Sequence, residues 1–222
     1  MLFRSWRQSF EVDFHTPVWS NDGSKIVFTG DGPSGLDQLF VADRSTHTAV
    51  RITNDGLDYT GAVWSPDDTQ LFAAAADDGV FSIYRIRANG GTAEKILTGY
   101  GEVAGVDPSG KWLYAVRRVS RNQTQLDAVP LPSGKPVPVA AMNFAEDAWV
   151  TRDGVYFLER RGETPLAPVT LKFRSHAGAV KVIQEYSKPP GRGLSVSPDG
   201  RYATTTQVVP PISNLMVLES GK

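Results

Sequence analysis

The sequence predicts an all-β protein in which a unit of about four short strands is repeated along the chain. The first observation is a turn motif that recurs at regular intervals, and the second is a set of apolar positions at fixed distances from it. The third is composition, because 21 Gly and 15 Pro are spread over 222 residues, as is typical of short strands joined by tight turns. No segment shows a sustained helical period with caps.

The turn motif is clearest at residues 63–75, VWSPDDTQLFAAA, and near-copies begin at Val18, Gly105 and Ser195, with a fainter one at Trp149. The third position of the Trp-Ser-Pro motif, or its equivalent where the Trp is replaced, serves as an anchor for each copy. Successive anchors are separated by 45, 42, 44 and 46 residues, and they are Asn21, Pro66, Pro108, Arg152 and Pro198.

Apolar residues keep the same distance from these anchors. Five positions after each anchor lie Ile26, Leu71, Leu113, Phe157 and Ala203. Seventeen or eighteen positions after each anchor lie Leu39, Ile83, Leu126, Val169 and Leu215. Each of these positions opens a run rich in β-branched and aromatic residues, a third set of runs follows, and the residues before the anchor supply a further strand. Four strands in about 44 residues is the size of a β-propeller blade.

The predicted fold is therefore a β-propeller of four complete four-stranded antiparallel blades and a three-stranded fifth, within one domain over residues 6–222. The expected blades are roughly 16–60, 61–99, 100–140, 141–187 and 188–222. Residues 1–5, MLFRS, include a peptide that a common sequencing-adaptor end encodes, so we expect a read artefact there and a parent protein with more blades. Residues 7–14 could supply the strand missing from the last blade. An open ring would expose apolar surface near the termini.

The motif is assigned a structural role in the turn between the first two strands of each blade. Pro presets φ, Asp tolerates the next position, and Gly supplies the positive φ that follows. Asp68 stands where Gly is preferred, so the sequence predicts mild strain there and a slight gain in stability for Asp68→Gly. The assigned turn residues are Asn21, Asp22, Gly23, Pro66, Asp67, Asp68, Pro108, Ser109, Gly110, Asp153, Gly154, Pro198, Asp199 and Gly200.

Trp19 and Trp64 come two residues before their anchors. A flat, bulky side chain at this position is expected to fill the wedge between neighbouring blades. Stacking on a ligand is the less favoured interpretation of these two residues.

The repeat resembles the WD40-like repeat of TolB-type β-propellers. The matching residues are WSNDG at 19–23 with LFVAD at 39–43, and WSPDD at 64–68 with IYRI at 83–86. The stretch DAWVTRDGVYFLE and the final blade also resemble the last blades of propellers attached to bacterial winged-helix transcriptional regulators. The resemblance implies a non-enzymatic module that binds a protein or ligand through its blade-face loops, and the sensory end of a transcriptional regulator is one form that such a module takes. The resemblance also favours an extracytoplasmic location. The alternative is the gating propeller of a prolyl-oligopeptidase-type serine hydrolase whose catalytic domain is absent.

The remaining chemistry of the sequence favours no catalytic, metal or cofactor site. The chain has no Cys, and its net charge of −1 gives no field that would attract nucleic acid. Ser195 and Ser197 lie in a sequence that lacks the full nucleophile-elbow pattern. The three His have no partner at metal-ligand spacing, and acidic pairs such as Asp67-Asp68 are explained by turn chemistry better than by calcium. No apolar window has the length of a membrane helix. A protein partner of unknown identity is expected.

Overall fold

The computed structural model describes residues 14–121, 123–142, 148–160, 167–187, 194–197, 201–209 and 212–219. The regular secondary structure of these residues consists of β-strands alone. The strands form four four-stranded sheets and one three-stranded sheet. The predicted all-β propeller with four complete blades and a three-stranded fifth is thereby confirmed.

The strands follow one another along the chain, blade by blade. Blade 1 comprises β1 (Phe14–Trp19), β2 (Lys25–Asp31), β3 (Asp37–Asp43) and β4 (Thr48–Arg51). Blade 2 comprises β5 (Asp58–Trp64), β6 (Gln70–Asp77), β7 (Val80–Arg87) and β8 (Glu94–Thr98). Blade 3 comprises β9 (Glu102–Val106), β10 (Trp112–Ser120), β11 (Gln123–Pro130) and β12 (Val137–Met142). Blade 4 comprises β13 (Ala148–Val150), β14 (Gly154–Arg160), β15 (Val169–Ser175) and β16 (Val180–Tyr186). Blade 5 comprises β17 (Ser195–Val196), β18 (Tyr202–Val209) and β19 (Ile212–Glu219).

Each blade is an antiparallel meander in which neighbouring strands in the sheet are neighbours in sequence. The first strands of successive blades contact one another, from β1 to β5, β9, β13 and β17. The first strand is therefore the inner strand of its blade, and the fourth strand of a complete blade is the outer one.

The hydrophobic core lies between blades, because alternate residues of a strand point to opposite faces of its sheet. Leu71 and Ala73 of β6 pack toward blade 1, whereas Phe72 and Ala74 pack toward blade 3. Strand β6 therefore buries five consecutive side chains, Leu71 to Ala75. A continuous apolar run predicts such a strand with both faces covered.

The meander also defines two ends of each blade. We call the end with the first-to-second and third-to-fourth connections the turn face, which includes residues 20–24, 65–69 and 107–111. The opposite end, with the second-to-third connections and the links between blades, is the loop face, which includes residues 78–79 and 99–101.

Candidate functional site

The predicted turns of blades 1 to 3 lie on the turn face and satisfy their own polar groups. Gly23 and Gly110 have φ values of 69° and 70°, and Asp68 has a φ of 56° at the equivalent position. In blade 2 the Asp67 carboxylate accepts hydrogen bonds from the hydroxyls of Ser65, at 2.6 Å, and Thr69, at 2.9 Å. These groups hold the hairpin together and leave little of its polar surface for a ligand.

Blade 3 builds the same turn with the two polar residues exchanged. Asp107 stands where blades 1 and 2 have Ser, and Ser109 stands where they have Asp. The Ser109 hydroxyl donates to Asp107 at 2.5 Å, and the Asp107 carboxylate also accepts from the Trp112 amide at 2.8 Å. The exchange preserves the hydroxyl–carboxylate hydrogen bond inside the turn.

Asp68 has a role that its sequence position does not reveal, since its carboxylate joins blade 2 to blade 1. Oδ1 accepts from the backbone amide and the side-chain amide of Asn21, at 2.8 and 2.7 Å. Oδ2 accepts from the backbone amide of Asp22 at 3.0 Å. The expectation that Asp68→Gly stabilises the protein considered only the backbone strain, and these interblade hydrogen bonds oppose it.

The two Trp residues assigned to blade packing differ in their environments. Trp64 is buried, and its Nε1 donates to the carbonyl oxygen of Val18 in blade 1 at 3.0 Å. Trp19 is 55% exposed, so its predicted burial is wrong. Trp64 faces the preceding blade, whereas the extensive contacts of blade 1 among the described strands are with β5 on its other side.

Blade 4 turns more tightly than the sequence predicts. Asp153 lies in the turn, where the Thr151 amide donates to the carbonyl oxygen of Gly154 at 2.8 Å. Gly154 itself is the first residue of β14, and a β-carbon there would lie 2.2 Å from the Arg174 carbonyl oxygen. Gly154 is thus required by a close backbone approach within the sheet. Pro198, Asp199 and Gly200, assigned to the last turn, lie outside the described residues.

A groove of about 370 Å³ opens on the turn face between blades 2 and 3. Phe72 and Arg85 line it from blade 2, and Val106 and Leu131 line it from blade 3. Pro66, Pro108 and Pro132 stand among its other lining residues. Its lining mixes apolar side chains with the charged residues Arg85 and Asp67 and with the neutral polar residues Ser65, Gln70 and Ser109.

The loop face carries a different surface at the same two blades. Val80, Phe81 and Val119 expose 51%, 42% and 52% of their surface. Exposed Arg118 and Arg121 flank Val119, and neither side chain makes a hydrogen bond or an ion pair within the described part of the chain. We call these five residues the loop-face patch.

The loop-face patch has members on both blades, with Phe81 and Val119 on the strand faces turned toward the boundary and Val80 and Arg118 on the opposite faces. A β-carbon at Gly101 would lie 3.5 Å from the Phe81 ring, so Phe81 of blade 2 lies against the start of blade 3. The Gly101 amide in turn donates to the carbonyl oxygen of Val116 at 3.1 Å. Strand β10 then leads directly from Val116 to Val119.

A buried carboxylate lies beneath this boundary. Asp127 is 1% exposed, and its Oδ2 accepts from the Tyr100 hydroxyl at 2.6 Å and from Arg117 Nε at 2.7 Å. Burial first, and then the hydrogen bond to Asp127, raises the pKa of Tyr100 to about 12, so the phenol stays protonated as a donor. Since Tyr100 lies in the link between blades 2 and 3, this network fixes that link to β10 and β11.

No metal centre is formed by the described residues, since none of them group as three or more His, Asp or Glu side chains that could hold an ion. His47 lies in the turn before β4 and His176 in the turn before β16, while the side chain of His15 lies outside the described residues. None of the described residues forms a helix of the length and apolarity that crossing a membrane requires.

Sequence reasoning missed the groove and the loop-face patch. The groove depends on residues from six strands or turns of two blades, which no local pattern connects. The patch had one available signal, the adjacent apolar residues Val80 and Phe81 directly after a tight turn, where exposed apolar pairs are unusual.

Solved structures similar to this chain include TolB-type β-propellers and proteins of other kinds. TolB from Acinetobacter baumannii matches with a TM-score of 0.78 and 17% identity over 96% of this chain and 53% of that one. A chain of a nidogen–laminin complex matches with a TM-score of 0.68 and 12% identity, over 87% of this chain and 72% of that one. A structure from a study of two prolyl endopeptidases matches with a TM-score of 0.57 and 16% identity, over 94% of this chain and 34% of that one.

These likenesses extend over nearly all of this chain but not over all of the proteins it resembles. The chain spans about half the length of the A. baumannii TolB, 53%. No protein-family model matches the sequence. At these levels of identity the likeness shows the fold, and the chain has the β-propeller fold of the TolB type.

Proposed function

We propose that this chain is a non-enzymatic β-propeller binding module that docks a protein segment on its loop-face patch. The observation that carries the proposal is the exposure of Val80, Phe81 and Val119 beside Arg118 and Arg121. Aromatic and Arg side chains dominate the energetics of protein interfaces, and apolar side chains exposed at the same end of neighbouring blades favour a contact surface.

The chemistry of the patch indicates the kind of partner. The turn-face carboxylates Asp22, Asp67 and Asp68 accept hydrogen bonds from their own or neighbouring turns. In contrast, the side chains of Arg118 and Arg121 have no acceptor within the part of the chain that the structure describes. A segment with an apolar side chain for Phe81 and Asp or Glu for the two Arg is therefore the expected partner.

A displayed library of random peptides, selected on the full chain, tests this proposal. The enriched peptides should combine apolar or aromatic residues with Asp or Glu. Their affinity should fall about tenfold or more in Phe81→Ser, because that change removes a buried apolar contact, and in Arg118→Glu with Arg121→Glu, because that change repels acidic residues. Raising the salt concentration should also weaken binding.

Two matched variants serve as controls. Val137→Ser changes an apolar residue of similar exposure on an outer strand, and Arg44→Glu reverses an exposed charge on the turn face. Both should leave the affinity unchanged. Peptides that bind the Phe81→Ser variant as tightly as they bind the wild type would contradict the proposal. Enriched peptides that contain no acidic residues would also contradict it.

Catalysis by the chain itself is not part of the proposed function. Ser195 lies in β17 and pairs with Thr204 in the sheet, which differs from the strand-to-helix turn of a nucleophile elbow. The purified chain should not turn over ester or peptide substrates, and turnover abolished by Ser195→Ala would refute this.

A propeller that gates a hydrolase domain is the alternative function. The likeness to the prolyl endopeptidase structure supports it, and a hydrolase domain encoded next to this chain would decide for it.

A further inference from the structure

The groove between blades 2 and 3 exists because four residues that close the junction between blades 1 and 2 are replaced. At the closed junction, Trp64 packs against blade 1 and Asn21 bonds to Asp68 across the turn face. The equivalent residues at the next junction are Val106 for Trp64, Pro66 for Asn21, and Gly110 for Asp68. Val106 is smaller than Trp64, and neither Pro66 nor Gly110 has a side chain that can form the hydrogen bonds made by Asn21 and Asp68.

The fourth replacement adds a charge. Val41 of β3 pairs with Val27, and Arg85 of β7 pairs with Phe72 at the equivalent place in blade 2. The repeat position that holds the apolar Val41 in the first junction therefore holds Arg85 in the second, where its guanidinium lines the groove.

An ion pair fixes the position of the Arg85 side chain and leaves one of its nitrogens without a hydrogen bond among the described residues. Its Nε and Nη2 both donate to Glu94 Oε2, at 3.1 and 2.6 Å. Its Nη1 donates to no acceptor among the described residues. Gln70, which also lines the groove, has a side-chain amide without a hydrogen bond in the same part of the chain. Asp67 does not compete for Arg85, because its carboxylate is engaged by Ser65 and Thr69.

The geometry points to a binding site for a small organic carboxylate that carries an apolar group. The carboxylate accepts from Arg85 Nη1, with Gln70 as a second hydrogen-bonding group, and the apolar group lies between Phe72, Val106 and Leu131. A volume of about 370 Å³ falls within the range of small-ligand pockets. This site is separate from the loop-face patch, since it opens at the opposite end of the blades.

The probes that test this site are 3-phenylpropionate, its neutral amide and acetate, titrated into the full chain by calorimetry and ligand-observed NMR. The phenylpropionate should bind, and the amide should bind about tenfold more weakly, because it loses the charge-assisted hydrogen bond. Acetate should show no binding at about 10 mM, because it lacks the apolar group.

Variants that restore the closed junction should abolish binding. Arg85→Val introduces the residue of blade 1 and removes the donor. Val106→Trp introduces the residue of blade 2 and fills the groove. Pro66→Asn with Gly110→Asp rebuilds the clamp across the mouth of the groove and leaves Phe72, Arg85, Val106 and Leu131 unchanged, and its thermal stability should equal or exceed that of the wild type. Arg87→Val, on the same strand and exposed, is the matched control and should leave the affinity unchanged.

Three results would overturn the inference. One is the absence of phenylpropionate binding at about 10 mM. Another is equal affinity for the acid and the amide, and the last is undiminished binding by a folded Val106→Trp or clamp variant.

Discussion

Asp68 combines a strained backbone with a set of interblade hydrogen bonds. A non-glycine residue at φ 56° costs about 1 kcal/mol relative to Gly. Its carboxylate, however, accepts three hydrogen bonds from Asn21 and Asp22 of the neighbouring blade. Each such bond contributes about 1 kcal/mol, so the bonds outweigh the strain.

Asp68→Gly is therefore expected to lower the free energy of unfolding by about 1–2 kcal/mol. Denaturant midpoints measure the change. Asp78→Gly is the matched control, because Asp78 has a φ of 48° and its carboxylate has no hydrogen-bond partner in the described residues. That variant should be neutral or slightly stabilising. A double-mutant cycle of Asn21→Ala with Asp68→Ala should show coupling, and purely additive effects would argue against the clamp.

At the scale of the strands and turns, two Trp residues at the same position of the repeat have different environments because their blades have different neighbours in the ring. Both end the inner strand of their blade, yet Trp64 is buried and Trp19 is 55% exposed. Trp64→Ala should cost about 3–5 kcal/mol, because it leaves a cavity between two blades. Trp19→Ala should cost less than about 1 kcal/mol. Urea unfolding of both variants checks the prediction, and equal losses would contradict the difference in packing.

The turns should also make the protein sensitive to acid. The Ser45 hydroxyl and the amides of Thr46 and Ser45 donate to Asp43 and hold its pKa at about 2, below its usual range. The pKa of Asp67 is likewise lowered, by the Ser65 hydroxyl first and then by Thr69. An unfolded Asp titrates near pH 4, so the stabilisation is complete above that value and is lost as the pH falls toward 2.

Urea midpoints should therefore fall between about pH 4 and pH 2. Asp43→Asn should reduce this acid dependence and lower stability at neutral pH, since the amide accepts fewer hydrogen bonds. Asp78→Asn removes a carboxylate that accepts no hydrogen bond in the described part of the chain, and it should have little effect on either quantity. An acid dependence that is unchanged in Asp43→Asn would show that the turns do not cause it.

At the scale of the whole molecule, burial is concentrated between blades and decreases toward the outer strands. Strand β6 buries both faces, whereas all residues of β16 except Tyr186 are exposed. Stability within a repeat fold is distributed over such interfaces, and strands with little burial open at low free-energy cost.

Native-state hydrogen exchange should reproduce this gradient. Amides of β6 and β10 are expected to exchange most slowly and those of β16 most rapidly, with β14 of the same blade as the internal comparison. Peptide-level mass spectrometry resolves these strands. Exchange of β16 as slow as that of β6 would mean that its outer edge is protected by a contact beyond the described residues.

The sequence by itself determined the architecture, because strand count, turn chemistry and apolar spacing are local properties that recur in each unit. Positions such as Leu71 and Leu113 lie at equal distances from their turns, and both are fully buried. The sequence also located Gly23 and Gly110, since a positive φ follows from the turn alone. It did not reveal that Gly154 is required because the backbone of β15 lies too close for a β-carbon at this position.

Only the tertiary structure decided what each repeated position does, because that depends on the neighbouring blade. The position of Trp64 is a buried wedge in blade 2, an exposed indole in blade 1 and the wall of a groove in blade 3. Asp68 could be recognised as a clamp only when Asn21, 47 residues earlier, was placed beside it. Burial and hydrogen bonding are set by contacts between units far apart in sequence, and those contacts created both candidate binding surfaces.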